Sequence, residues 1–292
     1  MEPIRVQVRR SGVVEAVHRI HAVAFRDGEV VEAAGDPELV AFMRSSAKPL
    51  QALPLARAYD DLDTRELAIA SASHLAEREH LEAVRLLLAR AHADEDDLEC
   101  GRAGDPPSRL KHNCSGKHAG MLVLCRANGW ETRGYRLPEH PCQQAMLAEI
   151  AAAAEVRADE IPTGIDGCAA VTFALTLART ARAFGRLEQL DGGARVAAAM
   201  RAHPELIRGR GAADTELMRS LPGWTAKGGA EGLLCACGDG LGIALKSEDG
   251  TQRGLAPAAA CFLARLGYDV EQLATAQVLN SRGDRVGEIV AA

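Results

Sequence analysis

The constraint that most limits the fold is a strand pattern at both ends of the chain with helical periods between them. Apolar and polar residues alternate from Ile4 to Arg9 and from Val13 to Phe25, with valine prominent, and Asp27-Gly28 then turns the chain into Glu29–Ala33. Such alternation suits half-buried antiparallel strands. Strand-like residues return at Leu233–Ala236, which Gly238-Asp239-Gly240 turns into Leu241–Lys246, and again at Gln277–Leu279 and Val286–Ala291. Helical periods fill the middle. Glu77–Ala93 carries Leu81, Val84, Leu87, Leu88 and Ala91 on one face, and further helices are predicted for Pro141–Glu155, from after Cys168 to about Phe184, and for Ala194–Ala202, Asp214–Leu221 and Ala256–Leu266. A short helix is expected over Asp36–Met43, and the helix following Pro49 should be kinked or shortened at Pro54. The pattern predicts an α/β (α+β) chain: one antiparallel sheet assembled from the two termini, with a helical region between. No repeat or linker divides it, so residues 1–292 read as a single domain with a possible helical subdomain at about 64–221.

Charge and composition exclude several classes of function. Acidic and basic residues are interleaved, with a net charge of −6, and aromatics make up only 3% of the chain, so it offers neither a basic stripe for phosphates nor a stacking platform for bases. Nucleic acid is not an expected partner. Met1–Val6 has no apolar signal core, and no apolar run approaches a membrane span, so a cytoplasmic protein with no membrane partner is expected. In that compartment the eight cysteines are thiols in the core or metal ligands rather than a disulfide framework.

Chemistry concentrates at Arg44-Ser45-Ser46-Ala47-Lys48-Pro49. Pro49 suits the first turn of a helix, which places Ser45 and Lys48, three residues apart, in its lead-in, where they can touch. A serine hydroxyl is a poor nucleophile until a base takes its proton, and a lysine amine serves only when neutral. From about 10.4 that requires a shift of about three units, supplied by burial or a neighbouring cation. Two later stations follow: Ser73 in the loop Ser71-Ala72-Ser73-His74, and Lys227-Gly228-Gly229 at the opening of a strand. The order is a degenerate version of S-x-x-K, S-D-N and K-T-G in acyl-serine enzymes of the β-lactamase and penicillin-binding type. Ser45 served by its local Lys48 is the favoured nucleophile, and Ser73 served by Lys227 is the competitor.

A second group is Cys114-x-x-Lys117 with Cys168, each beside small residues, in a segment where Asn113 is the predicted helix N-cap. Zinc ordinarily takes thiolate, imidazole or carboxylate, and lysine is an unusual ligand because it must first lose a proton. His112 and His118 flank Cys114 and read as ligands, substrate contacts or, by default, helix-surface residues. Cys100, Cys125, Cys142 and Cys261 read as core.

Taken together, Arg44–Pro49, Ala72-Ser73-His74, His112–Met121, Gly164-Ile165-Asp166-Gly167-Cys168 and Ala226-Lys227-x-Gly229-Ala230-Glu231-Gly232 resemble the Rhizobium etli-type L-asparaginases, the serine-dependent asparaginase II family. The resemblance implies a β-lactamase- or glutaminase-like fold, usually a homodimer, hydrolysing L-asparagine to L-aspartate and ammonia. It implies Ser45 with Lys48 as one pair, and Ser73 and Lys227 as the second serine and lysine. Cys114, Lys117 and Cys168 would hold a zinc ion with a water. Arg44, Asp166 and His118 would contact substrate, Asp166 suiting an α-ammonium and Arg44 a carboxylate, although either could form an internal salt bridge instead. Where the family usually has glycine after Ser-His-x, this chain has Leu75-Ala76. Other acyl-serine chemistry on β-lactams or peptides, and non-catalytic zinc or amino-acid binding, are the alternative functions.

Overall fold

A computed structural model describes residues 1–292. The strands are β1 (Ile4–Arg10), β2 (Val13–Arg26), β3 (Glu29–Ala34), β4 (Val40–Phe42), β5 (Thr163–Ile165), β6 (Val171–Thr176), β7 (Thr225–Gly229), β8 (Leu233–Gly238), β9 (Leu241–Ser247), β10 (Thr275–Leu279) and β11 (Arg285–Ala291). The helices are α1 (Lys48–Gln51), α2 (Leu53–Ala58), α3 (Thr64–Ala70), α4 (Arg78–Arg90), α5 (Ser115–Asn128), α6 (Pro141–Ala154), α7 (Leu177–Gly185), α8 (Gly193–Ala202), α9 (Pro204–Ile207), α10 (Ala213–Ser220) and α11 (Leu255–Arg265).

The expected sheet from the two termini is present. Its order is β10-β11-β1-β2-β9-β8-β7, with β3 paired to β2, and every pairing is antiparallel. The long β2 makes this possible, because β1 pairs with Val13–Ile20 and β3 with Ala22–Arg26, while β9 takes Ile20–Phe25. In β1, Ile4, Val6 and Val8 are buried and Arg5 is exposed, so the alternation read from sequence is the alternation of the sheet's two faces. At the other edge, β7 and β8 are buried throughout, covered on both sides. One apolar cluster runs from Ile4 through the helical layer to Ile289.

Three expectations fail in the middle of the chain. Asp36–Met43 is not a helix. Its backbone is taken by β6: β4 pairs Val40 with Thr176 and Phe42 with Ala174, and Met43 N–H donates to Phe173 O at 2.8 Å. The helix expected from Cys168 to Phe184 is two elements, since the β-branched and aromatic run Val171-Thr172-Phe173 forms β6 and Thr176 then caps α7, its hydroxyl accepting from Arg179 N–H at 3.3 Å. β4, β6 and β5 make a small second sheet. Finally, Lys227 does not merely precede a strand; it lies inside β7, in register with Cys235 of β8. The helix does break ahead of Pro54: α1 and α2 meet at Ala52, with Pro54 in the first turn of α2.

Candidate active site

A single turn of 3-10 helix, Arg44–Ala47, leads into α1. Arg44 holds a left-handed backbone, φ 49, fixed by its N–H on Thr172 Oγ1 at 3.2 Å. This turn delivers Lys48 into the interior, fully buried. Its Nζ donates to Ala72 O and, at 3.0 Å, to Ser73 Oγ. The expected Ser45–Lys48 contact is therefore not the one made: Lys48 bonds the serine 25 residues on. Ser45 nonetheless stands three residues before Lys48 in a 3-10 turn, where side chains at i and i+3 eclipse. Its hydroxyl has no protein hydrogen-bond partner and the residue keeps 9% exposure, against 1% for Ser73.

The Ser73 loop is pinned from both sides. Ser73 N–H donates to Ile207 O at 2.7 Å and His74 N–H to Asn113 O at 3.2 Å. Ser115 Oγ donates its proton to Leu110 O, so it must accept from His74 Nε2 at 2.8 Å, leaving Nδ1 to accept Ala76 N–H. Burial, then His80, Lys48 and His112, push His74 down to about 3, which keeps it neutral. The start of α5 packs on α3 only because residue 116 is glycine; a Cβ there would lie 2.2 Å from Ile69 O. The N-cap of α5 is Cys114, one residue after the expected Asn113.

Burial is the largest influence on Lys48 and lowers its pKa, the neighbouring charge of Lys117 adding to it and Cys114 opposing. Lys227 is also fully buried and lowered, to about 7. Burial is again the main cause, with Lys48 and Arg208 adding to it. Asp214 opposes, at 3.5 Å from Nζ, and Gly228 O accepts from Nζ at 2.7 Å. Asp214 is held charged despite its own burial by Lys227, Arg208 and the N–H groups of Gly228 and Thr215.

The second expected group also converges. Lys117 Nζ donates to Cys168 Sγ at 3.2 Å. Cys168 is pushed down to about 4 by a hydrogen bond from Cys114, with the Lys117 charge and the Ala170 N–H assisting against burial. Burial alone would lower Lys117; the Cys168 and Cys114 sulfurs reverse that and raise it. No three His, Cys, Asp or Glu side chains gather as a metal cluster, so any ion here would need the lysine. Ligands of a tetrahedral zinc lie about 3.5 Å apart, given bonds of about 2.0–2.3 Å, and the 3.2 Å amine–thiol spacing suits such an ion once the amine is deprotonated.

Arg44 and Asp166 meet each other. Arg44 Nε donates to Asp166 Oδ1 at 2.7 Å, and Gly167 N–H donates to the same oxygen at 2.7 Å. Asp166 is lowered by the Lys117 charge and by Arg44, which together outweigh burial. His118 is fully buried on α5 and so is not the helix-surface residue of the default reading. Glu99 N–H donates to Tyr135 OH at 2.7 Å, which also shares a hydrogen bond with His118 Nδ1 at 2.8 Å; His118 Nε2 is buried without a partner. His112 Nδ1 accepts from Cys114 N–H.

The family model of L-asparaginase II matches residues 6–291. The chain belongs to the L-asparaginase II family. No curated protein matches it. Among solved structures, the L-asparaginase II chain is similar to a beta-lactamase from Desulfarculus baarsii DSM 2075 (18% identity, 87% of this chain and 93% of that one, TM-score 0.42). It is also similar to a protein described as probable glutaminase ybaS (16%, 87% and 86%, 0.43) and to the Bacillus subtilis glutaminase YbgJ (14%, 78% and 79%, 0.35). The mixed α/β architecture with an antiparallel sheet stands, and family membership makes this an amidohydrolase. No helix is long and apolar enough to cross a membrane.

Sequence reading missed Asp214, Arg208 and Tyr135. The first two follow the glycine-rich Gly209-Arg210-Gly211 and precede it, respectively, a stretch that only tertiary folding brings beside Lys227.

Proposed function

We propose that the chain is a serine-dependent L-asparaginase of the Rhizobium etli type, hydrolysing L-asparagine to L-aspartate and ammonia. The observation that carries this reading is a buried lysine with lowered pKa, Lys48, 3.0 Å from Ser73 Oγ and one 3-10 step from the more accessible Ser45. Ser45 Oγ attacks the side-chain amide carbon and its proton passes to the neutral Lys48 amine. Apo hydrogen bonds in such sites commonly tighten only when substrate is bound. The Ser45 N–H stabilises the oxyanion, the N–H groups of Arg44, Ser46 and Lys48 being held by Thr172 Oγ1, Met43 O and Ser45 O. Collapse of the tetrahedral intermediate breaks the C–N bond, and the proton held by Lys48 reaches the departing ammonia through the Ser73 hydroxyl. Water, deprotonated by the same lysine, then adds to the acyl carbon, the bond to Ser45 Oγ breaks to release aspartate, and the lysine returns the proton to Ser45 Oγ. Loss of the base is worth about 10² to 10⁴ in rate, and of one oxyanion donor about 10² to 10³.

Asp166 receives the substrate α-ammonium, with Arg44 holding its carboxylate in place. Lys227 supplies a second buried amine whose charge is set by burial working against Asp214. Cys114, Lys117 and Cys168 would hold zinc, which when bound supplies Lewis acidity toward an oxygen ligand. Assembly as a homodimer belongs to the same proposal.

Ammonia release from L-asparagine and, in parallel, L-glutamine by the wild type and Ser45→Ala tests the reading. Release from asparagine abolished by the substitution supports it, and mass spectrometry of a trapped acyl-enzyme identifies the serine. Silence on both amides would sink the asparaginase reading while leaving the family intact. An acyl group on Ser73 would reassign the nucleophile.

A further inference from the structure

Arg208 occupies a position that the mechanism above does not use. It follows Ile207, whose carbonyl accepts the Ser73 N–H at 2.7 Å, so its backbone is tied to the serine loop. Its guanidinium reaches the lysine strand: a Cβ added to Gly228, next to Lys227, would lie 3.0 Å from Arg208 Nη1. The residue thus bridges the two stations that carry Ser73 and Lys227.

The guanidinium is oriented, and its charge favours the Asp214 carboxylate without a direct ion pair to it. Nη1 donates to Gln252 Oε1 at 3.4 Å, and Gln252 Nε2 donates to Gly229 O at 2.6 Å, which fixes the amide with its oxygen toward the arginine. Arg208 forms no ion pair. The nearest carboxylate, Asp214, is already committed, with Oδ2 on Gly228 N–H at 2.8 Å and on Lys227 at 3.5 Å, and Oδ1 on Thr215 N–H at 3.1 Å. Arg44, the arginine that sequence offered for a carboxylate, is bound to Asp166. A half-buried, pre-oriented guanidinium with free N–H groups matches a planar carboxylate in two parallel hydrogen bonds.

We propose that Arg208 is the anchor for the substrate's carboxylate, making the site selective for ω-amides that carry a free carboxylate at the other end. The inference rests on the amidohydrolase reading of Ser45 and Lys48 and adds the group that recognises what the amide is attached to. Arg208 touches substrate away from the reacting carbon, so it governs binding more than chemistry.

Three amides separate this role from a structural one: L-asparagine, succinamic acid, which lacks the α-amino group, and 3-aminopropanamide, which lacks the carboxylate. In Arg208→Gln, kcat/KM for the first two should fall by about tenfold to a hundredfold, mostly through KM, as for loss of a charged hydrogen bond. That for 3-aminopropanamide should stay within about twofold, and Arg208→Lys should recover part of the loss. An equal loss on all three amides would overturn the proposal, because Arg208 would then be acting through Lys227 or the fold; so would no loss on any. If the wild type releases no ammonia from asparagine, the asparaginase reading fails separately. Calorimetry with succinamate then decides: binding by the wild type that Arg208→Gln lacks keeps the anchor, and equal binding or none overturns it.

Discussion

Lys48 and Lys117 make a controlled comparison within one molecule. Both stand at the start of a helix, α1 and α5, and both are buried. Lys48 donates to a carbonyl and a hydroxyl, Ala72 O and Ser73 Oγ, and burial lowers it against the opposing Cys114 and Cys168 sulfurs. Lys117 points at sulfur, and Cys168, itself pushed down to about 4, raises it. Burial penalises the cation equally in kind at both places, so the surrounding groups decide which lysine is pushed toward the neutral amine and which is kept charged. Under the proposed mechanism the two regions divide work that a single lysine could not do, since an amine cannot accept a proton and neutralise a thiolate at once.

The comparison breaks most sharply if the two lysines prove interchangeable. Lys48→Met should reduce ammonia release from asparagine by about 10² to 10⁴, with folding retained by circular dichroism, because the substitution removes the base and fills its space. Lys117→Met or Cys168→Ser should act instead on metal: zinc affinity, read by competition with a chromogenic chelator, should fall by about tenfold or more. Wild-type zinc uptake should release protons to a pH indicator, since a raised lysine must lose its own to become a ligand. Zinc affinity unchanged in both variants would remove the metal from the Lys117 region altogether.

Lys227 tests the same rule in intermediate form, with burial set against one carboxylate. Its amine titrates at about 7 in the folded chain and at 10.5 ordinarily. Between those values the unfolded chain binds the extra proton. Its contribution to stability is therefore least favourable below pH 7 and improves as pH rises toward 10.5, by at most about 1.4 kcal/mol per pH unit. Urea denaturation across that range should show a shallower pH slope in Lys227→Met than in the wild type. Parallel slopes would mean that Asp214 holds Lys227 charged throughout.

Legibility followed the range of the interactions. The terminal strands were readable because the burial of Ile4, Val6 and Val8 beside exposed Arg5 is written into alternate residues. β6 was not, because Val171–Leu175 is buried on both faces, lacks alternation and runs straight into α7. The site divided similarly. The spacing of Ser45 and Lys48 correctly brought them to one turn, but the bond that Lys48 makes is to Ser73, and only the packing of α3 against the rest of the helical layer determines that. Asp214 and Arg208 carry no motif at all. They become visible once β7 has an address in the sheet.

The smallest expected effect concerns the loop joining the two regions. Ala76 adopts φ 61, where an L side chain is strained by about 1–2 kcal/mol, and this is the position after Ser-His-x at which the resembled family usually has glycine. Ala76 N–H is nevertheless held on His74 Nδ1, so the loop accepts the strain to keep His74 aimed at Ser115 and Ser73 against Lys48. Ala76→Gly should relieve it, while also giving the unfolded chain more freedom, for a net gain of about 0.5–1 kcal/mol in urea denaturation. Because the relief falls on the loop that presents Ser73 to Lys48, the rate of ammonia release reports whether the strain matters to chemistry. A more stable variant with unchanged kcat would make the alanine a tolerated defect. A more stable variant with lower kcat would mean that a stiff, strained turn is what holds the serine on its lysine.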